Sequence, residues 1–187
     1  MSVIRQYTGH AMYDQYLYAA RITCVDTGAK RIHKRWLKLN CKEKFRTLNL
    51  NSSMSVFFSA AGDHSKFIAE NAATLVSITA PANAEHESLL RQGVSVEIRP
   101  HLYYHKHRYR VNFRRAWRGC ANNLIVLDWV RSAITDSNKR KQDYHINTND
   151  CTLYLMNSDD LMMVKLAMHE YLHKITAVIL ESELAAD

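Results

Sequence analysis

Glycine and proline are scarce, five and two in 187 residues, which excludes collagen-like repeats and long flexible linkers. There is no Walker loop and no G-x-G-x-x-G pattern, so the common phosphate and dinucleotide cradles are absent, and no Ser, His, Asp set has a recognisable context. The four cysteines, Cys24, Cys41, Cys120 and Cys151, include no C-x-x-C pair. That spacing argues against a zinc ribbon or knuckle and for reduced thiols in a cytoplasmic compartment. No apolar run approaches the ~20 residues of a spanning helix. The opening MSVIRQYTGHAMYDQY lacks the apolar core of a signal peptide, so a cytoplasmic location without a membrane partner is expected. No internal repeat or low-complexity tract is evident.

What is present is an ordinary globular composition, 47% hydrophobic and 23% charged, at a length that suits one domain over residues 1–187. The best candidate boundary, Ala80 to Glu85, is weak. Charge is distributed unevenly. Residues 1–141 hold 23 Lys and Arg against 10 Asp and Glu, whereas residues 142–187 hold 2 against 8, so a basic body carries an acidic C-terminal element. Such asymmetry suits either a polyanion-binding body or self-neutralisation between the two parts.

Val94 to Trp117 organises the reading. Val94, Val96 and Ile98 alternate with polar residues, as do Tyr109, Val111 and Phe113, which is the period-2 signature of two half-buried strands. The expectation is a β-hairpin over about 94–115, apolar on one face and lined on the other by Arg99, Arg108, Arg110 and Arg114, with Arg115 at its end as a further nucleic-acid contact. Its tip would carry His101, Tyr103, Tyr104, His105, Lys106 and His107. Upstream lies the densest basic run, including Lys30, Arg31, Lys34, Arg35 and Lys38, interleaved with Trp36, Leu37 and Leu39. Cations neutralise phosphates, and exposed tyrosines stack on unpaired bases.

Elsewhere the first twenty residues could begin as a helix, strand character begins near Tyr16, and Asp26 to Gly28 reads as a turn. Leu48 and Leu50 mark a short strand; Asp63 is expected to cap a helix, Asn83 a second one, with Gly93 ending it. Asn122 or Asn123 could start a further helix, although the run LIVLDWV is equally legible as a buried strand, and Ser137 to Lys141 reads as a loop. Cys151 to Met156 reads as a strand, after which Asn157 or Ser158 caps an amphipathic helix running to about Glu183, with Leu161, Val164, Met168, Leu172, Ile175 and Ile179 as its stripe. The fold class is therefore α+β: an antiparallel sheet including a long basic hairpin, helices on one face, and a long C-terminal amphipathic helix over about 158–183.

Within that last segment stands His169, Glu170, Tyr171, Leu172, His173, an H-E-x-x-H. On a helix the two histidines share one face, and the motif resembles the zincin metallopeptidase signature, which implies zinc held by His169 and His173 with Glu170 activating water. Lys174 follows the motif, and Ile179 stands where the extended metzincin pattern has a histidine. Cys120 as a third ligand would superficially resemble the arrangement in peptide deformylase, whose other motifs are missing. His105 and His107, with Tyr171 and Lys174 downstream, resemble the paired histidines and Tyr-x-x-Lys of rolling-circle nickases, except that Lys106 separates the pair.

The sequence alone thus favours a non-catalytic protein that binds nucleic acid or an acidic partner through the basic 30–46 segment and the arginine face of the hairpin, with no cofactor. A small zinc hydrolase is the alternative from another class. The third reading is an assembly subunit, self-associating by pairing its basic face with an acidic C-terminal helix.

Overall fold

The protein, described by a computed structural model over residues 3–114, 128–129, 132, 144–147 and 150–184, divides into two compact units, Met1–Gly93 and Val94–Asp187. The division falls at Gly93, beyond the 80–85 stretch that the sequence suggested. Gly93 sits at φ 75°, its N–H on the carbonyl of Leu90, and so turns the chain out of a helix.

In the first unit β1 (Ile4–Tyr7), β2 (Tyr18–Thr23), β3 (Phe45–Asn49), β4 (Ser53–Phe58) and β5 (Leu75–Ala80) form one sheet in the order β1-β5-β2-β4-β3. Helices α1 (Thr27–Asn40), α2 (Ala61–Glu70) and α3 (Ala84–Arg91) connect or follow them. The run β2-α1-β3-β4-α2-β5 has the split βαβ, or ferredoxin-like, connectivity, with β1 added parallel to β5 at the edge. Asp26 does not merely turn the chain: its carboxylate accepts from the Ala29 N–H at 2.7 Å and caps α1. Tyr18, Ala20 and Ile22 of β2, with Met54, Val56 and Phe58 of β4, are buried. Phe58 meets Phe67 of α2 at 5.4 Å, and Phe67 meets Trp36 of α1 at 5.7 Å, so both helices cover this one face. Asp63 lies in the first turn of α2 rather than at its cap, and its Oδ2 accepts from the N–H groups of Lys42 and Glu43, both at 2.9 Å. Where the first twenty residues were expected to begin as a helix, they form β1 and a narrow turn.

In the second unit β6 (Ser95–Arg99), β7 (Tyr109–Phe113), β8 (Tyr144–Asn147), β9 (Thr152–Leu155) and β10 (Leu172–Leu180) form a sheet in the order β6-β10-β7-β9-β8. Helix α4 (Ser158–Met168), capped by Asn157, precedes β10, and α5 (Glu181–Leu184) follows it. The sheet repeats the first unit strand for strand. Ala20 of β2 lies between Val56 and Ile78; Val111 of β7 lies between Leu153 and Ile175, in matching registers. Both final strands open with Leu-x-x-Ile-Thr-Ala, at Leu75–Ala80 and Leu172–Ala177. The chain therefore holds an internal structural repeat, where its sequence displays none at a glance.

Two expectations are overturned. The strands of the expected hairpin exist, but they do not pair: β10 lies between β6 and β7, parallel to the first and antiparallel to the second. Nor is there a long C-terminal helix. The helix stops at Met168, His169–Tyr171 form a single 3-10 turn, and Leu172–Leu180 is the central strand β10. The Ile-Thr-Ala-Val-Ile run is rich in β-branched residues, and its burial at consecutive positions Ile175–Ile179 is that of a strand covered on both faces. The helix expected at Asn122 or Asn123, the LIVLDWV run apart from Asp128 and Trp129, which are helical, and the Ser137–Lys141 loop lie outside the described residues.

Candidate nucleic-acid interface

Strand alternation sets the site. In β7 and β9, Tyr109, Val111, Phe113, Leu153 and Leu155 point to the core, so Arg110, Asn112, Thr152 and Tyr154 point to the opposite face. Cross-strand pairing lines up one row over that face: Ser95, Thr176, Arg110, Tyr154 and His145. Above it folds a narrow turn closed by paired backbone bonds between Tyr103 and His107, 3.0 and 2.9 Å long. Tyr104 and His105 within it have φ of 49° and 58°, the left-handed region that costs a non-glycine residue roughly 1–2 kcal/mol. That conformation holds the Tyr104 ring against Tyr154, edge-on at 5.0 Å, and against His145 at 4.4 Å. Tyr104 remains 54% exposed.

Tyr103 has a different role. It is buried, donates to Glu97 Oε2 at 2.8 Å and carries the guanidinium groups of Arg99 and Arg110 over its ring at 4.7 and 5.1 Å. Burial, and then the Glu97 hydrogen bond, push its pKa up, so the hydroxyl stays protonated and donating. Arg110 also donates to Glu97 Oε1 at 2.7 Å. Its Nε and the neighbouring Thr176 Oγ1 are buried and have no hydrogen-bond partner among the described residues.

Two adjoining depressions meet at Arg110 and Tyr154. One, of about 450 Å³, extends under the turn to Arg99, His101, Tyr104 and His105. The other, of about 490 Å³, extends along the sheet to Asn112, Arg114, Asp150 and His173. Together they form a groove across the sheet face opposite Val111 and Leu153, with aromatic edges in the middle and arginines at both ends.

The expected site residues are divided by this arrangement. Arg99, Tyr104, Arg110 and Arg114 line the groove, and Lys106 is exposed on the turn beside it. Arg99, Lys106 and Arg114 pair with no carboxylate among the described residues. Arg108 pairs with Glu183 of α5, so part of the acidic C-terminal segment neutralises the basic face inside its own unit. Arg115 and Cys120 lie outside the described residues. Lys30, Arg31, Lys34, Arg35 and Lys38 belong to α1 of the other unit, on the helical layer, and Lys30 Nζ is engaged by the carbonyls of Leu50 and Asn51.

The H-E-x-x-H geometry does not survive. His169 and Glu170 sit in the 3-10 turn, 73% and 71% exposed at their side chains, and His173 is already in β10. The i, i+4 helical face that zinc ligation requires is absent, and the described residues hold no group of three His, Cys, Asp or Glu able to take a metal. Residues the sequence reading missed are Glu97, His145, Asp150, Thr152 and Tyr154. Tyr154 had a signal: in Cys151–Met156 it stands between Leu153 and Leu155, which marks it as the residue aimed away from the core.

No protein-family model, curated protein or solved structure matches this chain.

Proposed function

We propose that the protein binds single-stranded nucleic acid, without catalysis, on the sheet face of its second unit that carries Arg110 and Tyr154. The observation that carries this reading is the groove joined at Arg110 and Tyr154, where exposed aromatic edges lie between Arg99 and Arg114, two guanidinium groups that pair with no carboxylate among the described residues, while Glu97 holds Arg110 between them. Stacking on Tyr104 or Tyr154 needs a base with a free face, and Arg99 and Arg114 are spaced along the groove to take backbone phosphates. Arg110 Nε and Thr176 Oγ1 on the same face, which have no hydrogen-bond partner among the described residues, are polar groups that a ligand or water would satisfy. Duplex binding has less support, because a two-stranded ribbon that enters a major groove requires β6 and β7 to pair, and β10 separates them.

The test is fluorescence anisotropy of labelled single- and double-stranded oligonucleotides across a salt series. Single strands bind more tightly than duplex, log K falls linearly with log salt, and Arg114→Ala makes that slope shallower by about 0.7. Tyr104→Ala weakens binding by roughly 1–3 kcal/mol, one base stack. Absence of binding at low salt, or a preference for duplex that Tyr104→Ala leaves intact, overturns the reading.

A further inference from the structure

The first unit repeats more than the strand order of the second; it repeats the solvent-facing aromatic cluster. The turn closed between Met12 and Tyr16 corresponds to the one closed between Tyr103 and His107, and it too holds two non-glycine residues in the left-handed region, Tyr13 at φ 51° and Asp14 at 60°. Tyr13 meets Phe57 edge-on at 5.1 Å, as Tyr104 meets Tyr154 at 5.0 Å. Tyr16 lies 6.5 Å from Phe57 at 46°, and His107 lies 6.5 Å from Tyr154 at 44°. Tyr13 and Tyr16 are 6.4 Å apart at 80°, Tyr104 and His107 6.4 Å apart at 76°. The partner from the outer strand recurs as well. Arg46 of β3 lies 3.8 Å over the Tyr13 ring, in the sheet position that His145 of β8 holds beside Tyr104, for Arg46 pairs with Phe57 as His145 pairs with Tyr154.

Shared topology explains the shared core, because both sheets must bury one face against helices. It does not explain a half-exposed tyrosine held over the other face by strained backbone, twice. Strain that recurs at equivalent positions outside the core points to a requirement on the surface. From this juxtaposition we infer that the first unit carries a second base-stacking site, built from Tyr13, Phe57 and Arg46, so that one chain binds single-stranded nucleic acid at two places.

The two sites differ in charge. Ala19 occupies in the first unit the row position that Arg110 occupies in the second, and the row there reads Gln6, Thr79, Ala19, Phe57, Arg46. Phosphate contact in the first unit therefore falls to Arg46 and to the exposed Arg21 of β2. Its affinity is lower and depends less on salt than that of the second unit.

This inference rests on the single-strand reading above, and the experiment separates the two. Labelled hexathymidylate and hexauridylate, short enough for one unit, are titrated onto the full-length protein, and stoichiometry is read by analytical ultracentrifugation. Wild type takes up two oligonucleotides per chain. Tyr13→Ala removes the weaker event and leaves the tighter one, and Tyr104→Ala does the converse, each weakening its own site roughly 5- to 150-fold. Arg46→Glu, at an exposed position, reproduces Tyr13→Ala and covers the case in which loss of the tyrosine perturbs folding, as judged by circular dichroism. One oligonucleotide per chain, lost with Tyr104→Ala and indifferent to Tyr13→Ala and Arg46→Glu, overturns the second site and leaves the proposed function standing. Binding that ignores all three variants overturns both.

Discussion

Tyr13 and Tyr104 occupy the same place in two copies of one fold: each sits in the left-handed region on a narrow turn, and each meets an aromatic ring of the adjoining sheet edge-on, at 5.1 and 5.0 Å. Neither tyrosine belongs to a core, since they are 43% and 54% exposed.

If the turns store strain to place these rings, glycine beside them relieves it. His105→Gly and Asp14→Gly each remove a left-handed non-glycine residue while leaving the tyrosine in place. Relief of roughly 1–2 kcal/mol, less the entropic cost of glycine, gives a net stabilisation of about 0.5 kcal/mol. Denaturant unfolding checks this, and a loss of stability in both variants contradicts it.

Burial of histidine makes stability depend on pH. His86 is fully buried; its Nδ1 accepts from the Ala82 N–H at 3.0 Å and its Nε2 donates to the Thr8 carbonyl at 2.6 Å, an arrangement that needs the neutral ring. Burial lowers its pKa from 6.5, and that of His64 likewise, each opposed by a bond to a backbone carbonyl. A base whose folded pKa is depressed binds protons more readily when unfolded, so this stability is present above pH 6.5 and is lost as pH falls below it. The melting temperature therefore drops between pH 7.5 and 5, with a smaller drop in His86→Gln. An equal pH slope in that variant would show that His86 contributes nothing to it.

Asp63 joins α2 to the loop after α1 through the two N–H groups it accepts. Asp63→Ala leaves both without their acceptor and lowers stability by about 2 kcal/mol, measured by urea unfolding. A change below about 0.5 kcal/mol, the ordinary range for surface substitutions, would mean that water replaces the carboxylate fully.

Zinc should leave the protein unmoved. With His169 and His173 on different elements, added zinc does not shift the melting temperature of wild type relative to His169→Ala. A shift in wild type alone would restore the metal reading.

Much of the fold was legible where one face of an element is buried. Tyr109, Val111 and Phe113 announce β7 because every second side chain enters the core, and Asn83, Asn157 and Gly93 announce helix ends because they satisfy or redirect backbone there. Partnership was not legible. Whether β6 pairs with β7 or with β10, some eighty residues on, depends on a non-local contact that no window of sequence contains, and the glycine-poor turn between β6 and β7 resembles a hairpin tip locally. β10 was misread because Leu172, Ile175 and Ile179 fall at helical spacing, and a strand buried on both faces has no alternation to oppose it. The repeat stayed hidden since core positions accept any apolar residue of suitable size, Val56 for Leu153 and Phe58 for Leu155, leaving only Leu-x-x-Ile-Thr-Ala and a few tyrosines in common. Of the site, the arginines and Tyr104 were found by alternation and charge, whereas the withdrawal of Tyr103 and Arg110 into contacts with Glu97 is a matter of geometry alone.

The most direct test of single-strand binding on the sheet face is ultraviolet crosslinking of the full-length protein to hexathymidylate, with the linked residues located by mass spectrometry. A base stacked on an aromatic ring lies within bonding distance of it. The account predicts crosslinks at Tyr104 or Tyr154, joined at higher oligonucleotide concentration by Tyr13 or Phe57. Crosslinks confined to the α1 segment around Trp36, on the helical layer, would contradict it.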